Sequence, residues 1–197
     1  GSCPPTPPPA RFRGGDAWWA PHTPAAHLAA LTQHPDAGVV YSAAVMVTEG
    51  ADNMAVDPAI VEGDVTGSLL QRNCIPGSAS SVMIRREIIS RVGLYDETIR
   101  FAEDWEYWLR LAAATPFARV AEPHVFINVR PDSSGRNTEA LRLGAHAVVE
   151  RAFAQADPKY RRFRRNALAN IEFGASVDLA HHGKRRKAIV PLLRAIR

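Results

Sequence analysis

Residues 93–112 read GLYDETIRFAEDWEYWLRLA, and the second half of that stretch predicts a helix over 103–114. Trp105, Trp108, Leu109 and Ala112 follow one another at steps of three, one and three, which places them on one helical face. Glu103 and Asp104 open the helix, where carboxylates complement the positive end of the backbone dipole. Adjacent acids often sit at helix starts for that reason alone. A carboxylate pair beside an aromatic face is also the equipment of acid–base chemistry, so the flanking sequence has to decide.

Upstream, SSVMIRR (80–86) alternates as a strand, 86–92 follows as a helix, and Gly93 can close that helix in a left-handed cap. Residues 68–72 suit a short helix, and 52–64 suit a loop with room for a short strand. DAGVVYSAAVMVT (36–48) has the small and β-branched composition of a buried strand. Before it, Thr23-Pro24 supplies a cap and a first-turn proline, and Ala26, Leu28, Ala29 and Leu31 carry the helix to His34-Pro35. Trp18 and Trp19 stand where the chain approaches that helix, a place that suits either packing or stacking on a sugar or base. Asn73 suits a turn or capping role, with contact to an acceptor as the alternative. Downstream, FARVAEPHVFINV (117–129) supplies one or two strands, RPDSSGRN (130–137) a loop, and everything from Thr138 onward is helical. The class expected is α/β, a mixed sheet flanked by helices with an α-helical C-terminal tail.

CPPTPPPAR lacks amide donors at most positions and reads as an extended, polyproline-like leader. The divisions expected are therefore a leader over 1–11, a domain over 12–135 and a helical basic tail over 136–197. Gly1-Ser2 has the look of a tag-removal scar and carries no weight. In the tail, Leu168, Ile171, Ala175 and Leu179 make one apolar stripe, and Ile189, Leu192, Leu193 and Ile196 another. KYRRFRR (159–165) and KRRK (184–187) sit on or beside them. They form either a solvated face or a patch for an anionic membrane surface. No recognition fold or stacking-aromatic arrangement accompanies the charge, so no specific nucleic-acid partner is expected.

A chain of 197 residues, 46% of them hydrophobic, can close one sizeable core. No stretch approaches about 18 uninterrupted apolar residues, and no signal segment is visible. A soluble, cytoplasmic protein, peripheral to the membrane through its basic tail, is the expectation. Cys3 and Cys74 lie far apart with no CxxC spacing, which excludes a zinc ribbon or a disulfide framework. Gly-rich phosphate loops, HExxH and GxSxG are absent, and that leaves carboxylates to carry chemistry.

The stretch 93–112 resembles the family 2 glycosyltransferases of the GT-A fold. In that family a Gly-Phe-Asp-Glu segment leads through a short loop into Glu-Asp, an aromatic, an acid and Trp-Leu-Arg-Leu. The corresponding residues here are Gly93, Tyr95, Asp96, Glu97, Glu103, Asp104, Glu106, Trp108, Leu109, Arg110 and Leu111. RNCIPGSASSVMIRREIISRVG and DAWWAPHTPAAHLAALTQHPDAGVVYS resemble two further segments of the family in the same order. The likeness runs from about Phe12 to Ser134.

The resemblance implies a partial GT-A-like sheet and inverting transfer of a sugar from a nucleotide-sugar donor to a hydroxyl acceptor. Asp104 would be the general base and Glu103 its neighbour at the acceptor. Trp105, Glu106, Trp19 and Arg130 would line the substrate site. A divalent cation, Mn²⁺ or Mg²⁺, would be held at the DxD position, which here reads Gly14-Gly15-Asp16, so that only Asp16 remains as a metal ligand. Arg130 stands where the family often has a histidine, and a guanidinium can offset phosphate charge but cannot ligate a metal. The family's opening nucleotide-binding βαβ half is expected to be missing or replaced by the leader. An exposed sheet edge would then favour a homodimer or another covering element. The alternative function is a non-catalytic glycosyltransferase-like module that dimerises or binds a partner.

Overall fold

The computed structural model describes residues 10–11, 17–48, 54–56, 61–128 and 137–196. In chain order the elements are β1 (Ala10–Arg11), β2 (Ala17–Trp19), α1 (Thr23–Gln33), β3 (Val39–Val47), β4 (Met54–Val56), α2 (Thr66–Gln71) and β5 (Val82–Ile84). They continue with α3 (Arg86–Val92), α4 (Glu103–Ala112), β6 (Phe117–Asn128), α5 (Thr138–Gln155), α6 (Arg164–His181) and α7 (Arg185–Ala195). Three-ten turns at Ser78–Ser81 and Pro158–Phe163 precede β5 and α6. Backbone contacts group these elements into two units.

The first unit takes the described residues of 1–65, 74–94 and 111–130 and holds the six-stranded sheet. Strand order is β1-β5-β3-β6-β2, and β4 also pairs with β3. β3 and β6 run parallel from Val39↔Phe117 to Val47↔Asn128, with a bulge at Ser42–Ala44, and every other pairing is antiparallel. Val39 to Ala44 are all buried, the unbroken run expected of a central strand covered on both faces. One core cluster joins Leu31 of α1 to Val40, Met83 and Ala118, and another joins Ala17, Ala44 and Val125. Arg85 ties α1 to the sheet, donating from Nε to Ala37 O at 2.8 Å and from Nη2 to Leu31 O at 2.6 Å.

Several local expectations are changed or narrowed here. Trp18 and Trp19 belong to strand β2, antiparallel to β6, rather than to a helix approach. Trp18 stacks on Phe126 across that pair with ring centroids 5.5 Å apart, so cross-strand aromatic packing sets the conformation. Ala10 and Arg11, placed in the leader, pair with Ile84 and Met83 as an edge strand, because beyond Pro9 the backbone amides can donate again. Residues 117–128 make one long strand that stays in the ladder through its bulge. Gly93 closes α3 at φ 86° but lies outside the left-handed helical region, in a conformation open mainly to glycine.

The second unit takes the described residues of 66–73, 95–110 and 131–197. Trp105, Tyr107 and Trp108 of α4 are buried, with Tyr95 tilted against Tyr107 at 4.5 Å between centroids. Leu69 and Leu70 of α2, Val148, Val149 and Phe153 of α5, and Ile171 of α6 are buried as well. Asn137 caps α5 by accepting from the Ala140 amide.

The inner face of α6 centres on Ala167, Ile171 and Ala175, with Leu168 and Leu179 only half-buried, and it includes a buried carboxylate, Glu172. Glu172 accepts from Arg142 Nη1 at 2.6 Å and lies 2.7 Å from His146 Nε2, which reconciles the charge with its burial. The second stripe, Ile189, Leu192, Leu193 and Ile196, faces outward. Ala188 and Pro191 supply the buried side of α7.

Candidate active site

The start of α4 is built on an unusual backbone. Ala102 has φ 61°, the one positive-φ residue other than glycine among the described residues. Its carbonyl accepts from the Glu106 amide at 3.0 Å, so the residue that starts the helix is also the strained one. Glu103 is exposed and Asp104 half-buried. Asp104 Oδ1 accepts from the Trp105 amide at 2.7 Å and from Asn73 Nδ2 at 3.4 Å. Two donors from different segments therefore orient one carboxylate at a helix N-terminus.

The neighbours of Asp104 have distinct tasks. Trp105 is buried, and its indole Nε1 donates to Leu69 O at 2.7 Å, fixing the first turn of α4 to α2. Glu106 is buried in a two-bond pair with Arg110, at 2.8 and 2.9 Å, while the Arg110 guanidinium lies 4.9 Å from the Tyr107 ring centre. That engagement gives Glu106 a structural partner one helical turn away. Burial pushes the Tyr95 phenol well above the ordinary tyrosine range, and the charge of Asp104 adds to the effect. Tyr95 is therefore a neutral hydroxyl at physiological pH. Asp96 is held down at about 2 by its hydrogen bond from Thr98 and then by one from Arg151, which pins the turn ahead of the carboxylate pair.

Asn73 and Trp105 also line a cavity of about 360 Å³, together with Leu141, Arg142, Ile171 and Ala175. Its walls are mainly aliphatic and aromatic, with polar groups at intervals, the character of a small-molecule site. The structure thus brings together Asp104, Trp105 and Asn73. Glu103 stands beside them in sequence and is open to solvent. Trp19 belongs to the other unit, where its Nε1 donates to Ser80 O at 2.9 Å. Asp16 and Arg130 lie outside the described residues. Among the described residues no group of three His, Cys, Asp or Glu side chains could hold a metal ion.

The sequence allows Asn73 a turn, a cap or an acceptor contact but does not show its bond to Asp104, because the two stand 31 positions apart and nothing local couples them. It also gives no role to Ala102, whose backbone angle leaves no trace in composition.

Residues 11–153 match the family described as Glycosyltransferase like family 2. The match covers most of the chain, and the chain belongs to that family. Among solved structures, S. aureus TarS in complex with UDP is similar with a TM-score of 0.56 and 15% identity, over 94% of this chain and 55% of that one. S. aureus TarS in complex with UDP-GlcNAc gives 0.55 and 11%, over 92% of this chain and 56% of that one. The fold is accordingly the GT-A-like α/β arrangement, and the chain spans about half the length of those TarS structures. No curated relative matches the sequence.

Proposed function

We propose that this chain carries the acceptor side of an inverting glycosyl transfer, with Asp104 as general base. The observation that supports this best is the orientation of the Asp104 carboxylate by Asn73 and the Trp105 amide, two residues that also line the 360 Å³ cavity. In the proposed step Asp104 takes the proton of an acceptor hydroxyl as its oxygen bonds to the anomeric carbon of the donor. The bond from that carbon to the nucleoside diphosphate breaks, and the diphosphate leaves with the electron pair. Trp105 and Asn73 bound the acceptor, and Glu103 contributes a second carboxylate at the solvent side. A UDP-sugar is the first donor to test, since the TarS structures were solved with UDP and UDP-GlcNAc. Mn²⁺ or Mg²⁺ at Asp16 and charge compensation by Arg130 belong to the same proposal, as do a cytoplasmic location and a homodimer formed at the open edge of β1 or β2.

The test is titration calorimetry with UDP-, GDP- and dTDP-sugars, with and without Mn²⁺, followed by transfer to hydroxyl acceptors. Asp104→Asn keeps an oxygen that can accept from the Trp105 amide, so the fold should survive. Transfer should fall by at least about a hundredfold, the usual contribution of a positioned base. Unchanged transfer by Asp104→Asn would remove the base assignment. Absence of binding to every donor would favour the non-catalytic module instead.

A further inference from the structure

Helix α7 has three sides with different chemistry. Ala188 and Pro191 are buried. Ile189, Leu192, Leu193 and Ile196 follow at steps of three, one and three on another side, and each is between 41% and 72% exposed. At 100° per residue Arg185 lies in line with Ile189, Leu192 and Ile196, and Arg186 in line with Leu193. Lys187 and Arg194 occupy the third side. With Lys184 they line a cavity of about 410 Å³ that also includes Val190 and Pro191. Among the described residues Glu139 is the one acid on that cavity, and both of its oxygens are bonded to Arg142, at 3.0 and 2.8 Å. Among the described residues the positive charge of Lys184, Lys187 and Arg194 thus has no equal counter-charge at the cavity. From 184 to 196 the sequence holds five cations and no carboxylate.

We propose that α7 docks the protein on an anionic phospholipid bilayer. The helix lies in the interfacial plane, with Ile189, Leu192, Leu193 and Ile196 among the upper acyl segments and Arg185 and Arg186 at the headgroups. The combination of groups selects this occupant. An exposed aliphatic stripe draws on burial in hydrocarbon, and the adjoining cations draw on anionic headgroups while their long stems lie along the apolar surface. A nucleic acid would use the cations but would gain nothing from four aliphatic side chains that offer no ring for stacking. A protein groove would accept the stripe, but only an acidic rim would match all five cations.

Co-sedimentation of the full chain with phosphatidylcholine vesicles, with or without about one-quarter phosphatidylglycerol, tests the proposal. Retention should be at least about tenfold greater on the anionic vesicles and should weaken with salt. Arg185→Gln with Arg186→Gln should weaken anionic binding by about 25-fold, at about fivefold for each cation. Leu192→Ser with Leu193→Ser should weaken it by at least about tenfold. Both leucines are exposed, so circular dichroism should be unchanged. If that pair disturbs the helix, Ile196→Ser at its C-cap provides the same readout with less risk. Equal retention on neutral and anionic vesicles would overturn the proposal, as would a Ser pair that binds like the parent. So would a concentration-dependent dimer that the Ser pair abolishes while vesicles retain nothing, or tighter retention on nucleic acid than on vesicles.

Discussion

Two glycines in neighbouring helices should respond to the same substitution with opposite signs. At Gly144 in α5 a β-carbon would stand 2.7 Å from the backbone oxygen of Phe101 and 2.8 Å from its β-carbon. At Gly174 in α6 it would meet nothing within 4 Å. Alanine gains about 1 kcal/mol over glycine in a helix interior. At Gly174 that gain is unopposed, and Gly174→Ala should raise the melting temperature by about 2–4 °C. At Gly144 the methyl group needs at least roughly half an ångström more room than it has, and the obstacle is backbone, which cannot rotate aside. Overpacking of this kind costs about 1–3 kcal/mol, which exceeds the propensity gain. Gly144→Ala should therefore be less stable by about 1 kcal/mol net and should melt about 2–4 °C lower. Differential scanning calorimetry of the two variants beside the parent decides the matter. A Gly144→Ala protein that melts at or above the parent would refute the close approach of α5 to Phe101, the residue that leads into Ala102 and the carboxylate pair.

Ala102→Gly should stabilise by about 0.5–1 kcal/mol in urea titrations, because relief of the positive φ outweighs the greater freedom of glycine in the unfolded chain. Glu172→Ala should destabilise by about 2–3 kcal/mol in the same assay, since it removes the buried partner of Arg142 while leaving Glu139 in place. Asp96 is depressed to about 2 from 3.8, so its contribution to stability is complete above pH 3.8 and is lost as pH falls toward about 2. Acid melts of Asp96→Asn should accordingly be flatter than those of the parent across that window.

The parts of the fold that were legible depend on local chemistry. The run from Val39 to Ala44 announces a central strand because it has no polar face to show, and the spacing of Trp105, Trp108 and Leu109 announces α4. β2 leaves no such mark, because Trp18 and Trp19 owe their conformation to Phe126 and Val125 across the ladder, partners more than a hundred positions away. The apolar stripe at the end of α7 has the right period for a core helix, yet periodicity records only that a face exists and not what covers it. At the candidate site the family resemblance located Asp104, but the residue that bonds it, Asn73, comes from another segment. A contact made only by folding leaves no mark at either position.

Tyr95 offers a test of the site that does not depend on any activity. Its phenol is raised above 10.0 first by burial and then by the negative charge of Asp104, with smaller effects from Tyr107 and Glu103. If Asp104 stands where the structure puts it, Asp104→Asn removes the second cause and leaves the first. The Tyr95 titration, followed by phenolate absorbance or by NMR, should then move down but stay above 10.0. Stability follows with a definite sign. A folded value above the unfolded one gives a contribution that is whole below pH 10.0 and is lost as pH rises through the folded value. Asp104→Asn should thus shrink the alkaline part of the stability curve while leaving neutral pH nearly untouched. A Tyr95 titration indifferent to Asp104→Asn would mean that the two groups are not neighbours. The carboxylate would then be no more than a helix-start acid. A downward shift would place it beside a buried neutral hydroxyl, in the surroundings the structure gives it.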